Sequence, residues 1–382
     1  MRVLVDYRPA LRERTGVGEY MHNLVRAYSR QRAGTGDHIA VFTSSWKDRP
    51  VAGLSTELGA CVVDRRVPVR VLNYMWHRLE WPPVEALVAS ADIVHAAHPL
   101  LIPSHHAAQG VTIHHLFFLT EPQSTRAEIR RDYPALAGGH ARRADAIVVN
   151  SRYTASLVQQ TFGVPASRVH VCSPGPPVWK RLRGVPNLPR DGYVLFVGTL
   201  EARKNVGVLL DAYARLLDRN PHIPTLVLAG KATPDAAEWL ERLTRPPLLG
   251  RVHHLGYVPA AGLEDIYAGA RLLVMPSRDE GFGIPVLEAM SAGIPVVAAN
   301  RGALPEVLAG AGLLVDPDDA DAIAAAIERM LDDESFAAQK ARQGLARAGE
   351  FSWDRAATAL QCAYEAALER RLSRLYSKKP EA

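Results

Sequence analysis

Residues 173–198 read SPGPPVWKRLRGVPNLPRDGYVLFVG. Pro174, Pro176, Pro177, Pro186 and Pro189 crowd its first part. Each removes a backbone donor and clashes with a preceding helical turn, so neither a helix nor a central strand continues through it. The run YVLFVG that follows is short, apolar and bounded by turn residues, the pattern of a buried strand. Upstream, similar runs occur at 2–6, 38–43, 60–63, 92–96, 110–115, 146–150 and 168–172. Amphipathic segments such as GEYMHNLVRAYSRQ and SRYTASLVQQTF separate several of them. Downstream the alternation restarts, with strands expected at 193–198, 225–230, 251–256, 272–277, 295–299 and 312–316 and helices near 205–219, 234–244 and 262–269. Strand–helix alternation on both sides of a proline break predicts an α/β protein of two domains, each a parallel sheet covered by helices on both faces. The expected domains are 1–175 and 176–352, followed by a terminal helix within 353–382. Residues 319–348 and 353–376 read as two long helices. The apolar positions of the second keep a 3.6-residue period and need a docking surface, which a return to the first domain supplies.

Composition narrows the class. The 382 residues are too many for one ordinary core and suit two. Hydrophobic residues form 48% and charged residues 22%, ordinary for a soluble globular protein. No apolar run reaches membrane-spanning length, and MRVLVDYRP reads as a buried strand rather than a secretory leader. Cys61, Cys172 and Cys362 lie far apart and odd in number, which argues against a disulfide framework and for a reducing cytoplasm. Residues 1–180 carry 21 Lys+Arg against 14 Asp+Glu, whereas 181–382 carry 24 against 26. A basic first half suits anionic lipid at the inner face of the membrane or an anionic acceptor. An Arg- and Ala-rich composition gives the same bias with no partner. The basic residues are scattered and form no recognised nucleic-acid module.

Open α/β sheets bind ligands beyond the carboxyl ends of their strands, so those loops are the places to search. Gly16-Val17-Gly18 precedes a helix expected to start near Glu19. The pair suits either a tight turn or close approach of a phosphate to a helix N-terminus. A dinucleotide fingerprint needs a further glycine where Met21 stands and an acid where Thr43 and Ser44 stand, so NAD is disfavoured. His114 and His115 end the expected strand GVTIHH, where a structural role competes with one in a cleft; adjacent strand residues face opposite ways and make a poor metal pair. After Gly198, Arg203 and Lys204 sit just ahead of a helix N-terminus, which prefers acids. An anion between them, such as a diphosphate, relieves that conflict. Finally, EGFGIPVLEAMSAG (280–293) places Glu280 at a strand end, Gly281, Phe282 and Gly283 in a turn, and Glu288 one turn into a helix opened by Pro285. Carboxylates accept hydrogen bonds from vicinal hydroxyls, as in ribose or a hexose. An acid in a first helical turn is also simply stabilising.

Taken together and in order, these motifs resemble the retaining GT-B glycosyltransferases of family 4. The resemblance runs through TGVGEY, VTIHHLFFL, NSRYTASLV, GTLEARKN, LGYVPAAGLEDIYAGARLLVMPSRDEGFG and EGFGIPVLEAMSAGIPVVAANRGALPEVLAGAGLLVDPDD, essentially the whole chain. It implies two Rossmann-like domains facing across a cleft, with a nucleotide-sugar donor held mainly by the second. Carried over by position, Glu288 takes the donor ribose and Glu280 the transferred sugar, aided by the backbone N–H groups of Phe282 and Gly283. Arg203 and Lys204, beyond Gly198, hold the diphosphate. Gly16 and Gly18 approach that diphosphate from the first domain, and His114 touches the sugar near the reacting carbon. Asn150 and Ser151 border the cleft. Many relatives read HDL where this chain reads His114-His115-Leu116, which puts any role of the missing aspartate in doubt. The resemblance also implies front-face retention with no metal and no cofactor, the nucleotide sugar being a substrate; a double displacement would need a nucleophilic carboxylate about 5 Å from a second one. The donor implied is GDP-mannose, on the HHLFFLTEP pattern, or a UDP-hexose. The acceptor is a glycan, a lipid-linked glycan or another hydroxyl compound, selected by loops such as 65–80 and 119–134. A GT-B sugar 2-epimerase or hydrolase, or a non-catalytic partner subunit, are the competing classes.

Overall fold

The computed structural model describes residues 1–11, 14, 16–88, 90–125, 127–179, 188, 189 and 191–376. Backbone contacts divide the chain into two units, Met1–Pro174 with Ser352–Ala382, and Gly175–Phe351.

The first unit is built on a seven-stranded parallel sheet. Its strands are β1 (Arg2–Asp6), β2 (His38–Ser44), β3 (Cys61–Arg65), β4 (Ile93–Ala96), β5 (Ala108–Ile113), β6 (Ala146–Val149) and β7 (Val169–Val171). They lie in the order β3-β2-β1-β4-β5-β6-β7. The second unit holds β8 (Tyr193–Val197), β9 (Leu226–Ala229), β10 (Val252–Gly256), β11 (Ala270–Met275), β12 (Val296–Ala299) and β13 (Leu313–Val315), ordered β10-β9-β8-β11-β12-β13. All pairings are parallel, for example Val3 beside Ile39 and Leu273 beside Val296. β4, β6, β8, β9 and β12 are buried along their whole length. Sheets covered on both faces explain why these strands read as continuous apolar runs rather than alternating ones.

Both sheets reverse strand order beside their first strand, at β1/β4 and at β8/β11. In an open parallel sheet that reversal leaves a crevice at the carboxyl ends, because the flanking crossovers run to opposite faces. The segments that matter chemically should therefore follow β1, β4, β8 and β11.

The terminal helix Trp353–Tyr376 belongs to the first unit. Ala356, Ala357, Leu360, Ala363, Tyr364 and Ala367 form its buried stripe. The Tyr364 hydroxyl lies 2.7 Å from His95 Nδ1 in β4, and the Tyr28 hydroxyl donates to Gln361 Oε1 at 2.7 Å. The crossing-back expected from its periodicity is thus seen.

Three local expectations need correction. Residues 319–348 form two helices, Ala320–Asp332 and Glu334–Ala348, because the Asp333 carboxylate accepts the Phe336 N–H and starts a new helix. The first long helix starts at Gly16 rather than near Glu19, so the glycine pair is its opening turn. β5 stops at Ile113, and His114 and His115 lie beyond it.

Candidate active site

The loop after β8 is fixed by two glycines. Gly198 donates to Ala229 O at 2.9 Å and Leu200 to Lys231 O at 2.8 Å, so the chain runs on beside the end of β9. Gly230 faces Gly198 so closely that a Cβ there would lie 1.8 Å from the Gly198 carbonyl oxygen. A Cβ on Gly198, whose φ is 156°, would meet Lys204 Cε at 3.4 Å. The loop ends in a short turn, Ala202–Lys204, and Asn205 (φ 57°) leads into the helix Val206–Arg219. This turn sets the Arg203 and Lys204 side chains toward the loop after β11.

There they meet Glu280. Lys204 Nζ donates to Glu280 Oε1 at 2.5 Å and Arg203 Nη1 to Glu280 Oε2 at 3.0 Å. Arg203 also binds the Asp279 carbonyl at 2.7 Å and Glu201 Oε1 at 2.8 Å. Glu280 is buried, which alone would raise its pKa; the charges of Lys204 and Arg203 outweigh burial and hold it at about 2. It is therefore ionised at neutral pH, with the Ser277 hydroxyl adding to the effect. Burial pulls Lys204 below the usual lysine range against the attraction of Glu280. Burial raises the neighbouring Asp279. Two cations before a helix N-terminus are thus balanced inside the protein by Glu280 and Glu201. Gly302 (φ 61°) backs the loop, since a Cβ there would come within 2.7 Å of the Glu280 amide nitrogen.

Beyond Glu280 the chain enters the helix Ile284–Ser291, with Pro285 in its first turn. Gly283, at φ 96°, takes a conformation that side chains resist, and a Cβ would strike Leu304 Cδ2 at 2.6 Å. The Phe282 ring turns inward, edge-on to Phe351 at 5.5 Å, and leaves only its backbone to the loop. Glu288 projects from the same helix. Tyr267, on the helix Ala260–Ala268, donates its hydroxyl to Glu288 Oε2 at 2.7 Å. Trp179 packs on the Tyr267 ring at 5.3 Å, and its indole N–H donates to Ser291 Oγ at 2.9 Å.

In this unit, then, the structure brings Gly198, Arg203, Lys204, Glu280, Gly281, Phe282 and Gly283 together at the β8/β11 crevice, with Glu288 farther along the helix that opens there. Sequence reasoning did not assign Glu201, Gly230, Ser277, Tyr267 or Gly302. Gly230 had a readable signal, since LAG ends β9 as FVG ends β8. Tyr267 had none, because its partner lies 21 residues away on another helix.

The remaining sequence-derived residues lie in the first unit. Gly18 has a packing reason to be glycine: a Cβ would sit 2.8 Å from the Pro9 carbonyl oxygen. Among the described residues nothing lies within 4 Å of a Cβ placed on Gly16. His114 stands edge-on to Tyr20 at 5.1 Å, and burial holds its pKa at about 4, so the ring is neutral. Its Nε2 is buried without a hydrogen-bond partner among the described residues. At the β1/β4 crevice of this sheet, Arg8 pairs with Asp6 through Nε at 2.8 Å and Nη2 at 2.9 Å, and His98 Nε2 lies 3.4 Å from Asp6. The sequence reading did not single out this cluster.

Two doubly wound sheets, one with a charge-balanced glycine-lined loop pair at its switch point, define a two-domain, doubly wound α/β protein. The comparisons make the class specific. Residues 14–178 match the profile of Glycosyltransferase Family 4, and residues 191–333 match that of Glycosyl transferases group 1. The chain belongs to these GT-B glycosyltransferases. It is 38% identical over 234 residues to the O-antigen chain mannosyltransferase B of Escherichia coli, across 58% of this chain and 61% of that one. It is 31% identical over 165 residues to a serotype-specific mannosyltransferase WbdA of Escherichia coli, across 43% of this chain and 20% of that one. The match thus spans less than two thirds of either relative. Sucrose-phosphate synthase from Thermosynechococcus elongatus shares the fold, with a TM-score of 0.73, 22% identity and coverage of 99% and 100% of the two chains.

Proposed function

We propose that the chain is a retaining glycosyltransferase that moves a hexose, with mannose favoured, from a nucleoside diphosphate sugar to a hydroxyl of a glycan or glycolipid acceptor. The observation that carries this reading is the Glu280 carboxylate held by Lys204 and Arg203 beside the N-terminus of the helix that also bears Glu288. The similarity to mannosyltransferases supports mannose, and so GDP-mannose as donor.

In this reading Glu288, steadied by Tyr267, takes the ribose hydroxyls. Each carboxylate oxygen accepts two hydrogen bonds, so Glu280 can hold its cations and still accept sugar hydroxyls. The amides of Phe282 and Gly283 and the positive end of the helix face the same ligand. As the bond from the sugar C1 to the phosphate oxygen breaks, Arg203 and Lys204 offset the charge growing on the diphosphate, the role a divalent metal plays elsewhere. The acceptor oxygen bonds to C1 from the same face and passes its proton to the departing phosphate oxygen, which retains the configuration. Gly16 and Gly18 are assigned to the diphosphate and His114 to the sugar, the last supported by a buried Nε2 without a hydrogen-bond partner among the described residues. Contact with the membrane surface, through the basic first half of the chain, brings the enzyme to a lipid-linked acceptor.

The test is incubation with GDP-mannose, UDP-glucose and UDP-N-acetylglucosamine, each with an acceptor glycan and with or without EDTA. The reading expects sugar transfer with retained anomeric configuration that survives EDTA. Turnover that needs no acceptor would point to an epimerase or hydrolase, and complete loss with EDTA would remove the metal-free mechanism.

A further inference from the structure

The first unit holds a cavity of about 250 Å³ that lies away from the carboxyl-end crevice of its sheet. Its walls come from segments that lead into strands. Pro103 and Ser104 run into β5, and Gln109 is the second residue of that strand. His140 and Arg143 stand in the last turn of the helix Ala127–Arg143, just ahead of β6. Segments that enter parallel strands gather at the amino ends of the sheet, opposite the switch-point crevice. Trp76, Pro83, Leu101 and Pro103 give the cavity apolar walls. Its volume falls below the roughly 300–1,000 Å³ of drug-sized sites and suits one small ring.

The polar groups are few and specifically set. His140 is 4% exposed, and its Nδ1 accepts the Leu101 N–H at 2.8 Å. Desolvation and then the charge of Arg143 hold its pKa at about 4, so the ring is neutral at physiological pH. A neutral imidazole whose Nδ1 accepts carries its proton on Nε2. That Nε2–H lies 3.4 Å from Arg143 Nη2, which is also a donor. Among the described residues, then, no acceptor takes the His140 proton. Glu80 closes the mouth of the cavity, receiving Arg143 Nη1 on Oε2 at 3.0 Å and Nη2 on Oε1 at 2.6 Å. Its φ of 48° is a left-handed conformation that glycine takes more readily. Gln109 donates its Nε2 to the Ile102 carbonyl at 2.6 Å, which leaves its Oε1 to accept.

We propose that this cavity is a second carbohydrate site, in which a neutral pyranose ring, free or as one unit of a glycan, rests on the apolar walls. One hydroxyl oxygen accepts the His140 Nε2–H, and other hydroxyls donate to Glu80 and Gln109. Hydroxyls both donate and accept, which suits a cavity offering one buried donor and several acceptors. Glu80 and Arg143 offset each other and His140 is uncharged, so the lining carries no net charge. A phosphate or carboxylate ligand would lie against the Glu80 carboxylate. A glycan held there stays with the protein between transfers. The choice of a mannose-type ring rests on the transfer reading above; binding needs neither donor nor turnover, so the two can fail separately.

The test is a ligand-observed NMR titration of the full chain with methyl α-D-mannopyranoside and with an α-linked mannotriose. GDP and UDP are present in excess to occupy the donor crevice. The inference expects saturable binding: a tighter trisaccharide marks a glycan unit as the ligand, and equal affinities mark a free sugar. With histidine labelled by nitrogen-15, His140 should show the Nε2–H tautomer and shift as sugar is added. Glu80→Gly/Arg143→Ala and, separately, His140→Phe should each weaken binding about tenfold or more. Glu80→Gly relieves the left-handed backbone, so the double variant should keep the wild-type melting temperature, whereas His140→Phe strips the Leu101 N–H of its acceptor and should lower it. Absence of saturable binding by either sugar, an Nδ1–H tautomer, or full binding by the folded double variant would overturn the inference. So would a His140 signal that answers to inorganic phosphate and not to sugar.

Discussion

Lys204 and Glu280 are 76 positions apart in sequence and 2.5 Å apart in space. The sequence exposed each as an oddity: a cation pair ahead of a helix N-terminus, and an acid before a glycine turn. That each is the other's counter-ion was not legible, because a long-range pairing depends on how β8 and β11 lie side by side. Lys204→Ala leaves a buried carboxylate with one cation and, in the proposed reading, removes charge from the leaving diphosphate, so kcat should fall more than about 100-fold in the transfer assay. A variant with wild-type turnover would dismiss the assignment. Tyr267→Phe should behave differently. Losing one hydrogen bond to a charged group should raise the donor KM about tenfold and leave kcat within about twofold, since in the proposed reading Tyr267 acts on the donor through Glu288.

At the scale of elements, the strands were legible because they are buried on both faces and read as unbroken apolar runs. Boundaries were less so. The break at Asp333 turns on a single capping carboxylate, and Gly16 begins a helix although glycine usually marks a turn. The approach of the β8 and β9 ends is the most demanding local geometry in the second unit. Gly230→Ala forces a Cβ against the Gly198 carbonyl oxygen, backbone that cannot swing aside. We expect a loss of about 3 kcal/mol or more in urea unfolding, at the upper end for overpacking. An alanine variant as stable as wild type would show that the two loops separate freely.

Across the whole molecule, the two sheets share one strand order through six strands, yet their buried ionisable groups differ. The first unit holds His77, His95, His114 and His140, whose pKa values desolvation of the ring depresses to about 3, 3, 4 and 4 from the ordinary 6.5. A histidine kept neutral in the fold takes up its proton only on unfolding. Below about pH 6.5 the unfolded state therefore binds more protons, and stability falls as pH falls, by about 1 kcal/mol per histidine at pH 5.5. Glu280, in the second unit, contributes stability above its ordinary value of 4.5 that is lost only as pH drops from there toward about 2. The melting temperature should thus begin to fall near pH 6.5, with the first unit leading, and His95→Gln should blunt the slope. A flat profile between pH 7 and 5 would contradict this.

The proposal that the Glu280 centre receives a nucleoside diphosphate is tested most directly by thermal shift with GDP, UDP, GMP and UMP on wild-type protein and on Lys204→Ala. At about 100 times its dissociation constant a bound nucleotide adds about 2.7 kcal/mol. The prediction is that one diphosphate raises the wild-type melting temperature well beyond its monophosphate, and that Lys204→Ala erases the difference between them. If no diphosphate stabilises the wild type, or if the variant keeps the full diphosphate shift, the centre described here is not the donor site.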